Sequence, residues 1–402
     1  MNTCSFGALR GLVVLDLTQM LSGPYCTQLL ADHGGEVIKI EPPHGDATRG
    51  FGPFKPDDNL RAYGGYFQSV NRNKQSVVLN LKCTEDTDRL RAMVVKADVL
   101  VENFRSGVME RLGLDYESLS AINPKLVYAS IRGFGDGRHG VSPYQEWPAY
   151  DVIAQAMSGL MGITGKPDQP VKIGPGIGDI VPGMMAAFGI VSAVLHARQS
   201  GTGQYVDVSM TDTLLSLCER IVYQHSYQDA IPGPEGQHHP VFSPFGLFRA
   251  LDGFVALACP SDAFWRSFCE AVGEPAWSDD ARFRSANQRS AHRHDVNSLV
   301  ESVTARHTKQ ELARLLGGRI PFGPVMNAQE IFADPHFRAR DMLCEVEQPG
   351  STSCVTIAGV PMKLSATPGG IFNRAPLLGE HTQAVFERFG LAPVSLTSET
   401  HL

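Results

Sequence analysis

The sequence contains eight cysteines, but no two of them have the two-residue spacing of a zinc ribbon or a thioredoxin motif. It also lacks long runs of like charge, because its 35 lysines and arginines and its 42 aspartates and glutamates are spread along the chain and give a net charge of −7. These absences exclude a disulfide scaffold, a zinc ribbon and a general surface for nucleic acid or anionic lipid. An anionic ligand must therefore be met by a few local cations.

Long apolar runs and a secretory leader are also missing. The longest apolar stretch, residues 180–195, is interrupted by glycine, proline and serine and is shorter than the roughly 18 to 20 residues of a membrane span. The first residues show no cationic segment followed by an apolar core and a small-residue cleavage site. The sequence therefore predicts a cytoplasmic protein with no membrane partner and no nucleic-acid partner.

Three common nucleotide and metal motifs are absent as well. Rossmann dinucleotide-binding proteins carry G-x-G-x-x-G in the first turn between strand and helix, so that backbone amides can reach the pyrophosphate. Here that turn, residues 18–24, has a single glycine, Gly23. A Walker loop and an H-E-x-x-H helix are not present. Nicotinamide dehydrogenases, P-loop NTPases and zincin proteases are therefore disfavoured.

What the sequence does contain is a regular alternation of strands and helices over its first 210 residues. Helical patterns at about 24–33 and 85–97 separate short β-branched runs, which are 11–18, 36–41, 76–81, 98–103, 126–131 and 205–210. Because several of these runs are apolar throughout, the strands are expected to be covered on both faces. We predict an α/β fold with a mostly parallel sheet.

At 402 residues, the chain has room for two domains. We predict that residues 1–210 form the first part of a large domain. The polar segment 211–240, which is interrupted by glycine and proline, is expected to be a linker and site loop. Residues 241–330 are expected to form a smaller α+β domain. Residues 331–402 are expected to form a linker and a C-terminal segment that returns to the large domain.

The segment GPGIGDIVPG, residues 174–183, carries the most informative polar residue. Three glycines leave the backbone bare, and Asp179 follows them where an apolar helix begins. One interpretation makes Asp179 an N-cap that accepts hydrogen bonds from the first-turn amides. The other makes it a nucleophile, ionised at the positive end of the helix and flanked by amides that can stabilise an oxyanion. The residues alone leave both interpretations open.

A resemblance adds to this picture. Within residues 12–50, the segment LDLTQMLSGPYCTQLLADHGGEVIKIEPPHGDATRG resembles the opening of the family III coenzyme A transferases, the group of formyl-CoA and carnitine CoA transferases. Shorter matches follow in order, namely NRNKQS at 71–76, LNLK at 79–82, VENF at 101–104, RLG at 111–113, GD at 178–179 and LGEHT at 378–382. Together the matches cover nearly the whole chain.

The resemblance implies a Rossmann-like large domain that binds CoA, a smaller domain, and a dimer of two interlocked ring-shaped chains. It implies no tightly bound cofactor, with acyl-CoA and a small carboxylic acid as substrates. It also implies that Asp179 is the nucleophile, forming first an aspartyl acyl anhydride and then an aspartyl-CoA thioester. This chemistry is nearly thermoneutral and needs mainly a covalent relay that excludes water.

CoA carries three phosphates, while this chain is acidic overall, so the resemblance also implies local CoA contacts. The residues that we assign to CoA are Met20, Leu21, Ser22, Arg72, Lys74, Leu79, Lys82, Asn103, Phe104, Arg105, Arg111 and Tyr150. Taken singly, each cation among them also fits a solvated surface charge, and Phe104 fits a core residue as well as a wall beside the adenine.

Two departures from the family pattern narrow the substrate. Formyl-CoA transferases carry glutamine at the position of Leu21 and a glycine run where this chain has EGQHHP at 235–240. Formyl and oxalate exchange is therefore not expected. We predict instead a succinyl-CoA donor and a dicarboxylate acceptor, with Gly178, His238 and His239 at the substrate loop. The two histidines would meet a substrate carboxylate, although loop histidines also commonly face solvent.

Two other functions remain open at this stage. Related acyl-CoA racemases have a histidine at the position of Tyr150, and a phenol with a pKa near 10 is a poor base at neutral pH, which makes racemisation the second choice. The third is a CoA-binding protein without chemistry. The neighbouring Asp151 is expected to cap the helix that follows it, or else to orient a group of CoA.

Overall fold

The computed structural model describes residues 7–234 and 236–392. The ends of the predicted outer domains and residue 235 of the predicted site loop lie outside the described residues. Among the described residues, 7–160, 173–223 and 335–392 form one compact unit, and 161–172 and 224–334 form a second. The domain boundaries drawn from the sequence stay a prediction. They differ from these units at 161–172, and at 211–228, where the expected linker forms two helices.

The first unit is built on a six-stranded sheet in which every pair of neighbours is parallel. Its strands are β1 Val13–Asp16, β2 Glu36–Glu41, β3 Gln75–Val78, β4 Val99–Glu102, β5 Val127–Arg132 and β8 Tyr205–Ser209. The strand order is β3-β2-β1-β4-β5-β8, the order of a doubly wound Rossmann sheet with β8 as its sixth strand. The predicted α/β class and parallel sheet are confirmed.

The helices of this unit cover the sheet and continue the chain between its strands. They are α1 Ser22–Asp32, α2 Gly65–Asn71, α3 Thr84–Val94, α4 Val108–Arg111, α5 Tyr116–Ile122, α6 Asp151–Met157, α7 Ile177–Ser200, α8 Met210–Leu217, α15 Pro335–Ala339 and α16 Thr382–Phe389. An antiparallel hairpin, β12 Leu343–Val346 and β13 Val355–Ala358, belongs to the same unit. Strands β4 and β5 are buried along their whole length, which explains why most of their residues are apolar.

The second unit has its own core. Its strands are β6 Gly165–Lys166, β7 Gln169–Pro170, β9 Phe245–Ala250, β10 Gly253–Ala258 and β11 Phe322–Pro324. Its helices are α10 Asp262–Ala271, α11 Ala286–Ala291, α12 Arg293–Thr304, α13 Lys309–Leu316 and α14 Ala328–Ala333, while α9 Glu219–Gln228 starts in the first unit. Strands β9 to β11 form an antiparallel sheet over a core around Trp265 and Phe268, as expected for an α+β unit.

Helix α7 is longer than the sequence suggested. Its 24 residues are apolar enough, by length and composition, to cross a membrane, so the expectation that no segment reaches that length is corrected. Length and composition do not by themselves distinguish a membrane span from the core helix of a soluble protein. One face of α7 packs closely on α1, since a Cβ atom at Gly183 would lie 2.5 Å from the Ser22 carbonyl oxygen. Only a glycine permits this approach.

Candidate active site

A cavity of about 700 Å³ opens at the carboxyl ends of β1 to β4. In open parallel sheets, ligands bind at this edge, where the strand order reverses between β1 and its neighbours. Four successive loops line the cavity, and they contribute Leu17 and Gln19, Pro42 to His44, Leu79 to Lys82, and Phe104 with the helix α4 that follows it. Four of the residues assigned to CoA from the sequence therefore meet in one place, namely Leu79, Lys82, Phe104 and Arg111.

The charge of the cavity comes from its rim. Lys82, Arg111 and His44 are exposed, and their side chains have no hydrogen bond or ion pair within the described part of the chain. The carboxylate at the cavity wall, Glu41, is buried and held by two hydrogen bonds from Arg49 at 2.7 and 2.8 Å. The rim is therefore cationic, and its cations are available to an anionic ligand.

The aromatic wall of the cavity is Phe104. Its ring is half-buried and packs against the core cluster under the sheet, while the same side chain lines the cavity. Its backbone amide donates a hydrogen bond of 2.8 Å to Glu102 at the end of β4. Phe104 is therefore both a partly buried core residue and part of the cavity wall, and its contact with an adenine stays a prediction.

Asp179 is the third residue of α7 and is not its cap. The N-cap of α7 is Gly176, so the interpretation of Asp179 as the N-cap is wrong. The Asp179 carboxylate accepts no hydrogen bond from any described residue. Burial, followed by the negative charge of Asp151, raises its pKa to about 7. A carboxylate that accepts no hydrogen bond and has a pKa near neutral pH is typical of a functional group rather than a structural one.

Asp151 holds the first turn of α7 beside Asp179. Its Oδ1 accepts hydrogen bonds of 2.8 Å from the Gly178 amide and from Gln155 Nε2. Gln155 Oε1 in turn accepts the Ile173 amide at 3.0 Å. The expectation that Asp151 caps its own helix is therefore corrected, because Tyr150 is the N-cap of α6 and Asp151 binds the start of α7 instead.

The loop between β1 and α1, residues 17–21, joins the cavity to α7. At one end Gln19 lines the cavity. At the other end Leu21 reaches α7, since a Cβ atom at Gly176 would lie 2.9 Å from Leu21 Cδ2. Between them Met20 has a φ of 68°, in the left-handed region that non-glycine residues rarely adopt. The loop thus connects the cationic cavity to the turn that carries Asp179.

Three comparisons agree on the family. The model of the CoA-transferase family III matches residues 9–382. The chain is 47% identical over 389 residues to a succinyl-CoA:mesaconate CoA-transferase of Haloarcula marismortui, covering 96% of this chain and 97% of the other. It is 37% identical to a succinate–glutarate CoA-transferase of Agrobacterium fabrum, over 94% of each chain. The crystal structure of a CAIB/BAIF family protein from Brucella suis superposes with a TM-score of 0.84, at 32% identity over 96% of this chain and 100% of the other.

The chain is a family III CoA-transferase. The relatives that share 46–47% of its residues are named CoA-transferases, so the transferase is an enzyme whose substrates are CoA thioesters. This result favours the first of the three functions considered above over racemisation and over binding without chemistry.

Two cations assigned to CoA from the sequence are engaged inside the transferase instead. Arg72 is 4% exposed, and its guanidinium contacts the Asp32 carboxylate at 2.7 to 3.2 Å. Lys74 is 2% exposed, and its ammonium donates to Asp16, Asn71 and the Pro24 carbonyl at 2.8 to 3.0 Å. Lys74 uses all three of its donors in these bonds, and both side chains are buried away from the cavity, so their assignment is corrected. Sequence could not reveal these partners because they lie up to 58 positions away.

The remaining residues assigned to CoA do not line the cavity. Asn103 holds the β1–α1 loop, accepting the Gln19 amide at 2.9 Å and donating to the Gln19 carbonyl at 2.8 Å. Met20, Leu21 and Ser22 belong to that loop or to the first turn of α1, and Ser22 is buried. Arg105 is exposed and does not line the cavity. Tyr150 is 58% exposed and precedes Asp151.

The loop histidines belong to the second unit and contact its own residues. His239 Nδ1 accepts the amides of Val241 and Phe242 at 3.1 Å. The His238 ring packs 5.0 Å from that of Phe248, and burial lowers its pKa. Both are half-buried, so neither is the solvent-facing side chain that is usual in a loop, and their approach to a substrate stays a prediction.

Tyr66 is a site residue that the sequence did not indicate. Burial, followed by the negative charges of Asp179, Asp46 and Asp151, raises the pKa of the Tyr66 phenol to about 12. Its hydroxyl has no hydrogen bond to the described residues. Its ring lies edge-on to Phe51, with centroids 5.8 Å apart. No local motif marks it, because Tyr66 and Asp179 are 113 positions apart in the chain.

Proposed function

We propose that this transferase moves CoA from an acyl-CoA donor to a free carboxylate through covalent intermediates on Asp179. The observation that carries the proposal is the half-buried Asp179 carboxylate, which has no hydrogen-bond partner in the described chain and a pKa of about 7. A structural aspartate at a helix start would bind amides, whereas a nucleophile needs free oxygen lone pairs. The glycines before it leave room for a thioester to approach.

In the proposed first half, an Asp179 oxygen attacks the thioester carbonyl and the C–S bond breaks. The products are an aspartyl acyl anhydride and CoA thiolate. The thiolate then attacks the Asp179 carbonyl carbon, releasing the donor acid and leaving an aspartyl-CoA thioester. In the second half, the acceptor carboxylate attacks this thioester to give a new anhydride, and the thiolate attacks the acceptor's carbonyl. Asp179 is regenerated as a carboxylate, so every bond and charge is balanced without a base.

We propose that the cationic cavity holds the nucleotide end of CoA. Lys82 and Arg111 would meet its phosphates, because exposed cations around one concave site suit a polyanion, and the His44 ring at the same rim would donate a hydrogen bond to them. Phe104 would contact the adenine face. The β1–α1 loop would then lead the pantetheine arm toward Asp179.

Replacing Arg111 with alanine is expected to raise the KM for acyl-CoA about 10- to 100-fold with little change in kcat, since a charge-assisted hydrogen bond contributes about 1.5 to 3 kcal/mol. Steady-state kinetics at fixed acceptor concentration measures both constants. Arg105→Ala is the matched control, because Arg105 is also an exposed arginine after β4 but lies off the cavity. Equal effects of the two substitutions would place the phosphates elsewhere.

We propose succinyl-CoA as donor and a dicarboxylate as acceptor. The names of the two relatives reported above, which act on succinyl-CoA, mesaconate, succinate and glutarate, support this substrate class. The test is to incubate the enzyme with a mixture of acyl-CoAs and mono- and dicarboxylates and to identify the new thioesters by mass spectrometry. Transfer confined to monocarboxylates would overturn the substrate class, and the absence of any new thioester would overturn the function.

We also propose that the transferase is an interlocked homodimer. Five apolar side chains form an exposed stripe along α7, namely Met184, Met185, Phe188, Val191 and Leu195, with Phe188 71% exposed. Their spacing puts them on one helix face, and a contiguous exposed apolar face marks an interaction surface. A second copy of the chain is the proposed occupant, in a cytoplasmic enzyme.

Light scattering is expected to give twice the chain mass of 43.6 kDa. Phe188→Glu should lower the thermal midpoint and the yield of this species, because interlocked chains cannot separate without unfolding. Val95→Glu, at a residue 58% exposed on another helix end, should do neither. A monomer at micromolar concentration, or partition of the wild-type protein into detergent micelles, would remove the proposal.

A further inference from the structure

Six charged side chains are buried together beneath the β1–α1 loop. They are the carboxylates Asp16, Glu41 and Asp46 and the cations Lys39, Arg49 and Lys74, none with more than 8% of its side chain exposed. Lys39 contacts Asp46 at 3.0 Å, Lys74 contacts Asp16 at 3.0 Å, and Arg49 contacts Glu41 at 2.7 Å. With three charges of each sign, the cluster is neutral.

Stability alone does not explain such a cluster. Well-packed apolar residues are commonly as stabilising as a buried ion pair, or more so, because desolvation of the ions offsets their attraction. The contacts of the two lysines with the backbone suggest another role. Lys39 Nζ donates to the Thr18 carbonyl at 2.7 Å, and Lys74 Nζ donates to the Pro24 carbonyl at 2.9 Å. The cluster thus holds the chain on both sides of the β1–α1 loop.

Asp16 also holds the β1–α1 loop in place. Its Oδ1 accepts the Thr18 amide at 2.9 Å, and its Oδ2 accepts Thr27 Oγ1 at 2.7 Å and Lys74 Nζ at 3.0 Å. The last residue of β1 is therefore bonded to the start of the loop and to α1. Lys74 is the member that joins Asp16 to the α1 end of the loop.

The loop has little freedom of its own, so its anchors decide where it lies. Met20 is held at a positive φ between Gln19, which lines the cavity, and Leu21, which contacts Gly176. The Ser22 carbonyl lies against Gly183, leaving no room between α1 and α7. A small displacement of the loop would therefore move one wall of the cavity and the turn that carries Asp179.

We propose that Lys74 is a positioning residue. Through Asp16 and the Pro24 carbonyl it holds the β1–α1 loop, and thereby keeps the CoA cavity and Asp179 at a fixed position relative to each other. This inference rests on the proposed function for the roles of the cavity and of Asp179. It replaces the assignment of Lys74 to a CoA phosphate and assigns a role to the buried cluster, which is to position the loop.

The same geometry makes the loop sensitive to alkali. Burial lowers the pKa of Lys74 to about 8, against the opposing attraction of Asp16. The other groups that act on this ammonium are Lys39, which lowers its pKa, and Asp46, which raises it, while the nearby Cys26 thiol stays protonated because burial raises its pKa. Loss of the Lys74 proton removes a donor and leaves Asp16 with Lys39 as its counterion. Turnover is therefore expected to fall reversibly as the pH rises through about 8.

The test compares Lys74→Met with the wild-type enzyme by kinetics and by hydrogen–deuterium exchange. A displacement near 1 Å can cost about 100-fold in rate, so kcat is expected to fall by about that factor. The KM for acyl-CoA should change only a few-fold, because Lys82 and Arg111 lie outside the loop. The alkaline fall in kcat should disappear, and amides 17–27 should exchange faster than in the wild type.

Arg72→Met is the matched control. It removes an equally buried ion pair from the other end of α1, where Arg72 binds Asp32, and it should lower the thermal midpoint comparably while leaving exchange of amides 17–27 and the alkaline fall in place. Thr27→Val, which deletes one hydrogen bond to Asp16, should lower kcat several-fold. Wild-type values in Lys74→Met, or the same losses in Arg72→Met, would overturn the positioning role.

Two readouts separate this inference from the proposed function. Exchange of amides 17–27 requires no turnover, so it reports on the loop even if the substrates are wrong. Normal transfer by Lys74→Met with unchanged exchange would refute the positioning role alone. If Lys74→Met does not fold, the wild-type enzyme provides the test. Above about pH 8 its kcat should fall, and the exchange of amides 17–27, corrected for the intrinsic exchange rate, should become faster. A wild-type kcat that is flat to pH 9.5 refutes the inference.

Discussion

Asp179→Asn is expected to abolish CoA transfer, lowering kcat by about 10⁴-fold or more. The asparagine amide has the shape of the carboxyl group but cannot form the anhydride. Because Asp179 accepts no hydrogen bond from the described residues, its replacement breaks no contact, and CoA binding at the cavity should persist. Transfer assays and calorimetric CoA titration of the same sample measure the two effects. Turnover within tenfold of wild type would refute covalent catalysis at this residue.

The same variant should be more stable than the wild type at alkaline pH. The pKa of Asp179 is raised from its usual value to about 7 in the folded chain, so folding disfavours the ionised form. The free energy of unfolding of the wild type therefore decreases as the pH rises from roughly 4 to 7. The asparagine variant does not show this decrease, because asparagine does not ionise. We expect a gain of about 2 kcal/mol at pH 8, reduced from the full shift because the group is partly exposed. The difference between variant and wild type should vanish near pH 4.

A covalent intermediate gives a direct check on the same residue. Wild-type enzyme mixed with acyl-CoA and then with hydroxylamine should carry a hydroxamate at position 179, because both an anhydride and a thioester react with this nucleophile. Peptide mass spectrometry locates the adduct. Asp179→Asn treated in the same way is the control and should carry none, and an adduct at another carboxylate would move the nucleophile there.

Below pH 7, kcat/KM for acyl-CoA is expected to fall about tenfold for each pH unit. The reacting group must be ionised, and kcat/KM reports the pKa of the free enzyme, which is raised to about 7 at Asp179 by burial and by Asp151. Between pH 8 and pH 5 the expected loss is about 100-fold. Initial rates in buffers of constant ionic strength measure it, at donor concentrations far below KM.

Asp151→Asn is the variant that identifies the cause of this acid limb. Asparagine keeps an oxygen that can accept the Gly178 amide but removes the negative charge that raises the pKa of Asp179. The acid limb should therefore move to lower pH. An unmoved limb would assign the titration to another group, and a rate independent of pH from 5 to 8 would remove the role of a raised Asp179 pKa.

Local patterns were sufficient for the elements of the sheet. Strand β2 was predicted at 36–41 and is observed at Glu36–Glu41, because its β-branched residues follow a Gly-Gly break and precede two prolines. The other strands of the sheet differ by a few residues at their ends. Helix α7 was underestimated because its last turn, residues 196–200, is mostly polar and its first turn contains Asp179, so the continuous apolar run is shorter than the helix.

Local patterns failed where a side chain acts through distant partners. Arg72, Lys74 and Arg111 look alike in sequence, yet two of them are bonded inside the protein and the third is free at the cavity rim. Asp179 resembled a cap because its neighbours are glycines, whereas the helix starts at Ile177, before it. No sequence pattern indicated Tyr66 for the same reason, since the charge of Asp179 acts on its phenol only in the folded chain.

The order of residues along the chain was enough to determine the α/β class, the family and the position of the candidate nucleophile, because periodicity and long motifs are properties of neighbouring residues. Only the tertiary structure decided which cations remain available to a ligand and which are buried in ion pairs. It also decided that the Asp179 carboxylate accepts no hydrogen bond within residues 7–234 and 236–392. Charge pairing and desolvation depend on distances between residues far apart in the chain, and these distances exist only after folding.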